Sequence, residues 1–385
     1  MNILFINFEY PPLGGGGGVM TAQIAEELAK HNTVHVITTA FRDTKKYEFL
    51  HGVHVHRVAV IGRTAMPTAT LISLLTFAPS AFLRGLQITR KHAFDVINAH
   101  FVIPSGLPAF LLASIRKIPF VVTLVGGDIY DPSKGISPHK HALLRATIRY
   151  IVSKADAVTA ISQDTKQRAI ELHGVKKRID VIPIGLILNE TPALPRESLG
   201  FTAQDFVCVS IGRLVPRKGY ETLLTAWKDI TNAKLIIIGD GPMKHDLEEL
   251  IRRYELSDRV RLVGSVSEQE KYGILRASDL YVSTAQHEGF GIVFLEAMSA
   301  GLPIIAANDG GQKDFLEHGK HAILIPPHDC KAVIRAIDEL YTDEPLRKEM
   351  SRRNLEDVQN YTIHTTAGAL EKKLLDTITT YEHSN

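Results

Sequence analysis

The sequence predicts an α/β protein made of two doubly wound, Rossmann-like parallel sheets that face each other across a cleft. Three observations lead there. Short apolar runs of strand length alternate with stretches of helical spacing along most of the chain. The alternation halts at Ile187–Leu199, a segment with two prolines and no clean period, and then restarts. Finally, 385 residues, 45% hydrophobic and 22% charged, are enough for two cores of ordinary size. The expected plan is a first domain over 1–186, a linker over 187–199, a second domain over 200–363, and a closing helix over 364–385, free to pack back on the first domain.

In the first half, Asn2–Phe8 reads as a buried strand and a glycine-rich loop follows it. Met20–Lys30 places Met20, Ile24 and Leu28 on one helical face, and Thr33–Thr38 is the next strand. Val53–Val60, Asp95–Ala99, Pro119–Leu124 and Ala157–Ile161 read as further strands, with helices at Ala81–Lys91 and His141–Lys154. In the second half, Phe206–Ile211, Lys234–Ile238, Val260–Val263, Leu280–Ser283 and Pro303–Ala306 read as strands. Helices at Tyr220–Asp229, Met243–Tyr254, Glu268–Ala277 and Ile292–Ala300 separate them, and Thr365–Thr380 is the last helix.

Composition excludes a disordered chain, a collagen-like repeat and a disulfide-stapled miniprotein. Cys208 and Cys330 are the only cysteines, so no disulfide framework exists and a cytoplasmic setting is expected. The N-terminus lacks the basic start and small-residue cleavage site of a signal peptide. Met66–Leu83 is apolar but carries two prolines and several hydroxyls, short of a membrane span. The net charge of +2 hides a split: 21 Lys+Arg against 12 Asp+Glu in residues 1–185, and 23 against 30 in 186–385. A basic first half suits an anionic partner, nucleic acid or membrane.

Ligands of open parallel sheets bind beyond the carboxyl ends of the strands, and the chemistry-bearing segments fall there. Gly14–Gly18 follows the first strand and opens a helix, so the backbone of Gly15, Gly16 and Gly17 can approach a ligand. The run is not a Walker loop, because Val19-Met20 follow it, and it matches the dinucleotide fingerprint only trivially. Gly212–Gly219 (GRLVPRKG) follows the first strand of the second domain and offers Arg213 and Lys218, two cations suited to a diphosphate. Glu288–Pro303 (EGFGIVFLEAMSAGLP) supplies a glycine-flanked helix start for phosphate oxygens and two carboxylates, Glu288 and Glu296, suited to hydroxyl donors. His54-x-His56 alternates on a strand without a nearby third ligand and His139-x-His141 abuts a helix expected at the surface, so neither reads as a metal site.

The segments GRLVPRKG, IIIGDGP and EGFGIVFLEAMSAGLPIIA closely resemble the retaining, nucleotide-sugar-dependent glycosyltransferases of family 4, which have the GT-B fold. Glu288 and Glu296 match that family's E-x7-E motif. The resemblance runs from the glycine loop to about residue 330 and is tightest in the second domain. It implies that Arg213 and Lys218 neutralise a leaving diphosphate, that Glu296 holds the ribose, and that Val263 and Val266 line the base. Glu288, with the backbone of Phe290, Gly291, Ile292 and Val293, would hold the donor sugar and its phosphates. His100 matches the histidine placed beside the reacting sugar. Thr123–Asp128 (TLVGGD) resembles a loop that often reads T-x-H-G-x-D, with Gly126 in the histidine's place and Asp128 kept for donor binding. Pro183-Ile184-Gly185 replaces the usual Pro-Asn-Gly, and Asp314 ends a G-G-x-x-E-like segment.

Family resemblance favours same-face substitution, in which the leaving diphosphate helps to deprotonate the acceptor. No Asp-x-Asp tripeptide occurs, so no metal and no other cofactor is expected. The implied partners are a UDP- or GDP-sugar and a sugar or lipid-linked acceptor, in cell-envelope polysaccharide synthesis. The basic first domain would face an anionic membrane surface from the cytoplasmic side, and nucleic acid is set aside. Two other readings stay open, another GT-B enzyme such as an epimerase or phosphorylase and a non-catalytic sugar-nucleotide-binding protein.

Overall fold

The computed structural model describes residues 1–64, 69–133 and 135–384, so the start of the apolar stretch at Met66 lies outside the described residues. The chain divides into two units: Met1–Gly185 with Ile363–Asn385, and Leu186–Thr362.

The first unit runs β1 (Asn2–Ile6), α1 (Gly16–Leu28), β2 (Thr33–Thr39), β3 (Tyr47–Leu50), β4 (Val53–Val58), α2 (Leu71–Ile88) and β5 (Val96–His100). It continues with α3 (Val102–Arg116), β6 (Phe120–Leu124), α4 (Ala142–Lys154), β7 (Ala157–Ala160), α5 (Gln163–His173) and β8 (Asp180–Val181). Its sheet has the order β3-β4-β2-β1-β5-β6-β7-β8 and is parallel except for the antiparallel β3–β4 pair. Burial on both faces explains the continuous apolar strands: Ile3, Leu4, Phe5 and Ile6 of β1 are all fully buried.

The second unit runs β9 (Val207–Ile211), α6 (Tyr220–Trp227), β10 (Lys234–Ile238), α7 (Lys244–Arg253), β11 (Val260–Gly264) and α8 (Glu268–Ala277). Then come β12 (Leu280–Val282), α9 (Ile292–Ser299), β13 (Ile304–Ala307), β14 (Ala322–Ile325), α10 (Cys330–Thr342) and α11 (Glu344–Asp357). The order β11-β10-β9-β12-β13-β14 is parallel throughout. Trp227 of α6 is fully buried in its core beside Leu223, Leu224 and Ile237.

The sequence reading left α5, β8, β14, α10 and α11 unassigned, and four further segments depart from expectation. The helix expected from Ala81 begins at Leu71, because Thr70 and Ser73 form a capping box with bonds of 3.1 and 2.9 Å. Pro79 sits inside that helix on its exposed side. Helix α3 went unforeseen because Pro104, Gly106 and Pro108 interrupt its pattern, and the chain does kink at Ile103 (φ −122°, ψ 126°). The edge strand β3 is short, and its four residues alternate between exposed and half-buried, too brief a pattern to stand out in the sequence. The expected linker 187–199 lies within the second unit: the Leu194 N–H donates to Gly273 O at 3.0 Å, and Arg196 pairs with Asp279 at 2.8 Å.

The final helix, α12 (Ile363–Ser384), packs on α1 in the first unit. Ala367, Leu370 and Leu374 are buried along one face, and Lys373 pairs with Asp180 at 2.6 Å. Asn32 donates to Glu371 at 2.6 Å. Leu374 is fully buried, so Leu374→Ala is expected to cost about 2–5 kcal/mol, the usual range for an emptied core site. Urea denaturation of the two proteins reads that difference directly, and a change below about 0.5 kcal/mol would show α12 to be detached from the core.

Candidate functional site

In the second sheet the chain steps from β9 to β10 and β11 on one side, while β12, β13 and β14 lie on the other. Loops leaving the adjacent strands β9 and β12 therefore diverge, which opens a crevice at their carboxyl ends. The loop after β9 carries Gly212–Gly219, and the loop after β12 leads through Glu288 to α9. Topology thus puts both charged motifs at one switch point.

The two loops meet through charge. The carboxylate of Glu288 accepts from Lys218 in a very short contact and from the Arg217 guanidinium at 3.1 Å. Arg217 also donates to His287 O at 2.7 Å, which fixes its fork. Glu288 is almost wholly buried; burial opposes its charge, but Lys218 and Arg217 outweigh it and hold the carboxyl well below the usual range. Burial also pushes Lys218 down, against the pull of Glu288. Both partners thus shift in the same direction, and we take the charged pair as the resting state because each ion keeps an opposite charge in contact.

Glu296, one and a half turns into α9, is equally buried and accepts from Lys271 of α8 at 2.7 Å. Lys271 also reaches Glu268 at 2.7 and 2.8 Å. Burial raises the Glu296 carboxyl, and Lys271 only partly offsets it. Arg213 follows β9 directly, and its buried Nε finds no acceptor among the described residues. A guanidinium N–H of this kind at a switch point suits an anionic ligand.

Backbone geometry shapes the rest of the crevice. Glu288 O accepts from the Gly311 amide at 2.8 Å, which stitches the loop after β12 to the loop after β13. A Cβ at Gly310 would stand 2.4 Å from Glu288 O, so only glycine permits that approach. Gly291 takes φ +90° as the cap of α9, and the first residues of the helix, Ile292 and Val293, are half-exposed. Their amides are the ones a helix start leaves for a ligand. Phe290 instead turns inward onto Phe315, centroids 4.9 Å apart, so only its backbone is available. Val263 is exposed at the end of the edge strand β11, and Val266 is half-exposed just beyond it.

The first sheet has its own switch point, between β1 and β5, where His100 and Asp128 lie. His100 ends β5 fully buried, with Nδ1 against Thr21 Oγ1 at 2.7 Å and Nε2 against Asn98 Oδ1 at 2.9 Å. Burial pushes its imidazole down to about 3. A neutral ring with both nitrogens engaged positions its neighbours rather than exchanging protons. Asp128 is buried too, accepting from the Val102 amide at 2.7 Å and the Val125 amide at 3.0 Å. It ties the loop after β6 to the start of α3. Burial lifts its carboxyl to about 6 against those bonds.

The glycine loop also holds a surprise. Glu9 accepts from the Gly15 amide at 3.1 Å, so a carboxylate already occupies part of this helix start. That placement disfavours a phosphate there. Gly17 is required by the Phe101 ring, 2.4 Å from where its Cβ would stand, whereas Gly15 and Gly16 meet nothing within 4 Å. His54 and His56 stack near-parallel with His35, centroids 4.4 and 5.3 Å apart. His35 Nδ1 and His56 Nε2 lie 3.1 Å apart and engage each other, and His56 Nδ1 meets Arg84 at 3.1 Å. The sequence analysis singled out none of Arg217, Lys271 and Glu9; Glu268 three positions before Lys271 offers a local i,i+3 partner that hides its reach to Glu296.

Comparison with known proteins follows the same division. Residues 194–357 match the family described as "Glycosyl transferases group 1", and residues 14–190 match "Glycosyltransferase Family 4". A putative teichuronic acid biosynthesis glycosyltransferase of Bacillus subtilis, TuaC, is 30% identical over 391 residues, covering 93% of this chain and 94% of the relative. The N-acetyl-alpha-D-glucosaminyl L-malate synthase of Bacillus anthracis is 27% identical over 369 residues, 91% of this chain and 90% of the relative. Among solved structures, Anabaena HepE in complex with UDP superposes with a TM-score of 0.78 at 22% identity, covering 98% of this chain and 100% of that one.

The Glu288 cluster has a pH signature. Its folded carboxyl lies below the unfolded value of 4.5, so its stabilisation is full above pH 4.5 and is lost as the pH falls toward about 2. Glu288→Gln leaves two cations facing a neutral group and is expected to cost about 3–5 kcal/mol at pH 7. Urea titrations of both proteins at stepped pH are expected to show that gap shrinking below pH 4.5. A gap that stays constant with pH would remove the ion cluster from the stability of this loop.

Proposed function

The chain belongs to the group 1, family 4 glycosyltransferases of GT-B fold, and we propose that it moves a hexosyl group from a nucleoside-diphosphate sugar to a hydroxyl of a lipid-linked or polysaccharide acceptor, with retention at the anomeric carbon. The observation that carries this reading is the set of charges at the second switch point: buried Glu288 paired with Lys218 and Arg217, buried Glu296 paired with Lys271, and the buried Nε of Arg213 in the loop after β9. Such a set suits a ligand that is anionic at its centre and rich in hydroxyls at both ends, which is the make-up of a nucleotide sugar.

In this reading the diphosphate takes Arg213 Nε and competes for Lys218, while the amides at the start of α9 meet its oxygens. Glu288, released in part from Lys218, accepts from hydroxyls of the sugar, and Glu296 accepts from the ribose. The bond between the anomeric carbon and the diphosphate oxygen breaks, and its electron pair leaves with the diphosphate. The acceptor oxygen bonds to the same face of the oxocarbenium-like carbon, and its proton passes to the departing diphosphate oxygen. Pre-organised cations stabilise the charge as it grows. They also supply the positive charge that a divalent ion gives elsewhere, so the reaction is written without a metal.

The name of the Bacillus subtilis relative supports an acceptor in cell-envelope glycan synthesis. A cytoplasmic enzyme meeting its acceptor at the inner membrane face fits this reading.

Turnover is tested with purified full-length protein and a panel of UDP-, GDP- and ADP-hexoses, scoring released nucleoside diphosphate. Lys218→Ala is expected to lower turnover by about 10²–10³, as loss of one transition-state donor does. Full-rate turnover in that variant would overturn the assignment. Excess EDTA is expected to leave the wild-type rate unchanged, and a rate that collapses and returns with Mg²⁺ or Mn²⁺ would refute metal independence.

A further inference from the structure

The glycine run after β1 is built around a side chain of its own unit. Gly14 takes φ +96°, and a Cβ there would stand 2.6–2.7 Å from Cβ, Cγ and Cδ of Glu9. One at Gly18 would stand 3.1 Å from Glu9 Cβ, and the Gly15 amide donates to the Glu9 carboxylate at 3.1 Å. Three of the five glycines therefore serve one residue. A helix start of this kind would otherwise suit a phosphate; here the loop presents a hydrogen-bond acceptor instead.

Behind Glu9 runs a chain of buried polar groups whose direction follows atom by atom. Val121 O can only accept, so the Asn98 amide atom 3.2 Å from it is Nδ2, and Oδ1 faces His100 Nε2 at 2.9 Å. Nε2 therefore carries the proton of the neutral ring. Nδ1 is then an acceptor, 2.7 Å from Thr21 Oγ1. Gly17 O lies 2.9 Å from the same hydroxyl, but Nδ1 has no other donor among the described residues. Thr21 Oγ1 in turn accepts from Asn7 Nδ2 at 2.6 Å. The Glu9 amide can only donate, so the Asn7 atom 3.1 Å from it is Oδ1, which fixes that side chain as well. Asn98, His100, Thr21 and Asn7 are fully buried, and Glu9, the last member, is half-exposed.

Four buried polar side chains are costly in a sheet core unless every bond is made, and apolar residues of similar size would carry no such cost. A fully connected chain that reaches the surface at one carboxylate fixes that carboxylate in place. Charge indicates what it takes. Burial lowers the Arg63 guanidinium, beyond β4, and the Glu9 carboxylate raises it, so the two charges lie close enough to offset each other. A carboxylate balanced in this way has little need of a second cation, and it repels an anion. Sugar hydroxyls donate to it without adding charge.

We propose that Glu9 is a binding residue for the hydroxyls of an uncharged sugar in the acceptor, and that His100 is a positioning residue acting on it through Thr21 and Asn7. The inference rests on the acceptor reading above and deepens it: a neutral sugar, not a phosphate, meets the glycine loop. It also accounts for a buried His100 with no ring nitrogen left for a substrate.

The test uses the full chain, saturated with a nucleoside diphosphate, and the methyl glycosides of glucose, galactose, mannose and N-acetylglucosamine, with inorganic phosphate as the anionic control. Saturation-transfer NMR titrations give the affinities. At least one glycoside is expected to bind the wild type, and to bind Glu9→Gln tenfold or more weakly, since the amide keeps the shape and loses the charge. Thr21→Val is expected to weaken the same glycoside at least threefold, and Thr21→Ser, which keeps the hydroxyl, to restore it. Nitrogen-15 spectra of the His100 ring are expected to show Nε2–H and a bare Nδ1 from about pH 5 to 8. The opposite tautomer, titration within that range, or a Thr21→Val protein of unchanged affinity would overturn the positioning role. Glycoside affinity unchanged in Glu9→Gln, or no glycoside bound by the wild type, would overturn the binding role; a tenfold gain in phosphate affinity alongside would mark the loop as a phosphate cradle. Loss of nucleoside-diphosphate binding in the wild type would instead overturn the donor reading. Glycoside binding is then read without nucleotide, so the two failures remain distinct.

Discussion

Two carboxylates are buried at the ends of the second sheet's strands, and much of the candidate site follows from keeping them charged. An unpaired carboxylate in a protein interior costs several kcal/mol or takes up a proton. Glu288 avoids that cost with Lys218 and Arg217, and Glu296 with Lys271. Each pairing spans different elements: the loop after β9 is held to the loop after β12, and α8 is held to α9. The ion pairs therefore do more than balance charge, since they fix the loops from which a ligand is gripped. Pairs of this kind are poor sources of net stability and good sources of geometry.

Sheet topology explains why the charges gather there. In both units the chain fills one side of the central strand and then the other, and the charged or glycine-rich loops lie where the direction changes. The two switch points differ in chemistry. The second is cationic, with an Arg213 Nε that meets no acceptor among the described residues. The first has its polar groups already committed: His100 to Thr21 and Asn98, Asp128 to two amides, and Glu9 to the glycine loop. Such commitment stiffens the first unit around an aromatic contact, Phe5 edge-on to His100 at 5.2 Å. Phe8 and Phe101 add a second one at 5.5 Å beside Gly17.

The parallel architecture was legible in the sequence because buried strands such as Phe120–Leu124 are uninterrupted apolar runs. Helix α3 was not, because two prolines and a glycine break the periodicity that marks a helix, while tertiary packing of Leu112 and Ala113 restores the element. In the site, motif spacing pointed to Lys218, Glu288 and Glu296. It could not show that Arg217 turns toward Glu288, because neighbouring residues in a tight turn point in unrelated directions until the fold is known. Lys271 was hidden for a similar reason: its partner Glu296 lies 25 positions away, while Glu268 supplies a bland local explanation. His100 and Asp128 were read from resemblance, which names positions without saying how many of their polar atoms the fold has already used.

The central claim is that the second unit's cations grip a diphosphate. Calorimetric titration of the full chain with a nucleoside diphosphate and the matching monophosphate, in wild type and Lys218→Ala, tests it most directly. The diphosphate is expected to bind the wild type at least tenfold more tightly than the monophosphate, with that preference lost in the variant. Equal affinities for the two nucleotides in the wild type, or a preference that survives the substitution, would contradict it.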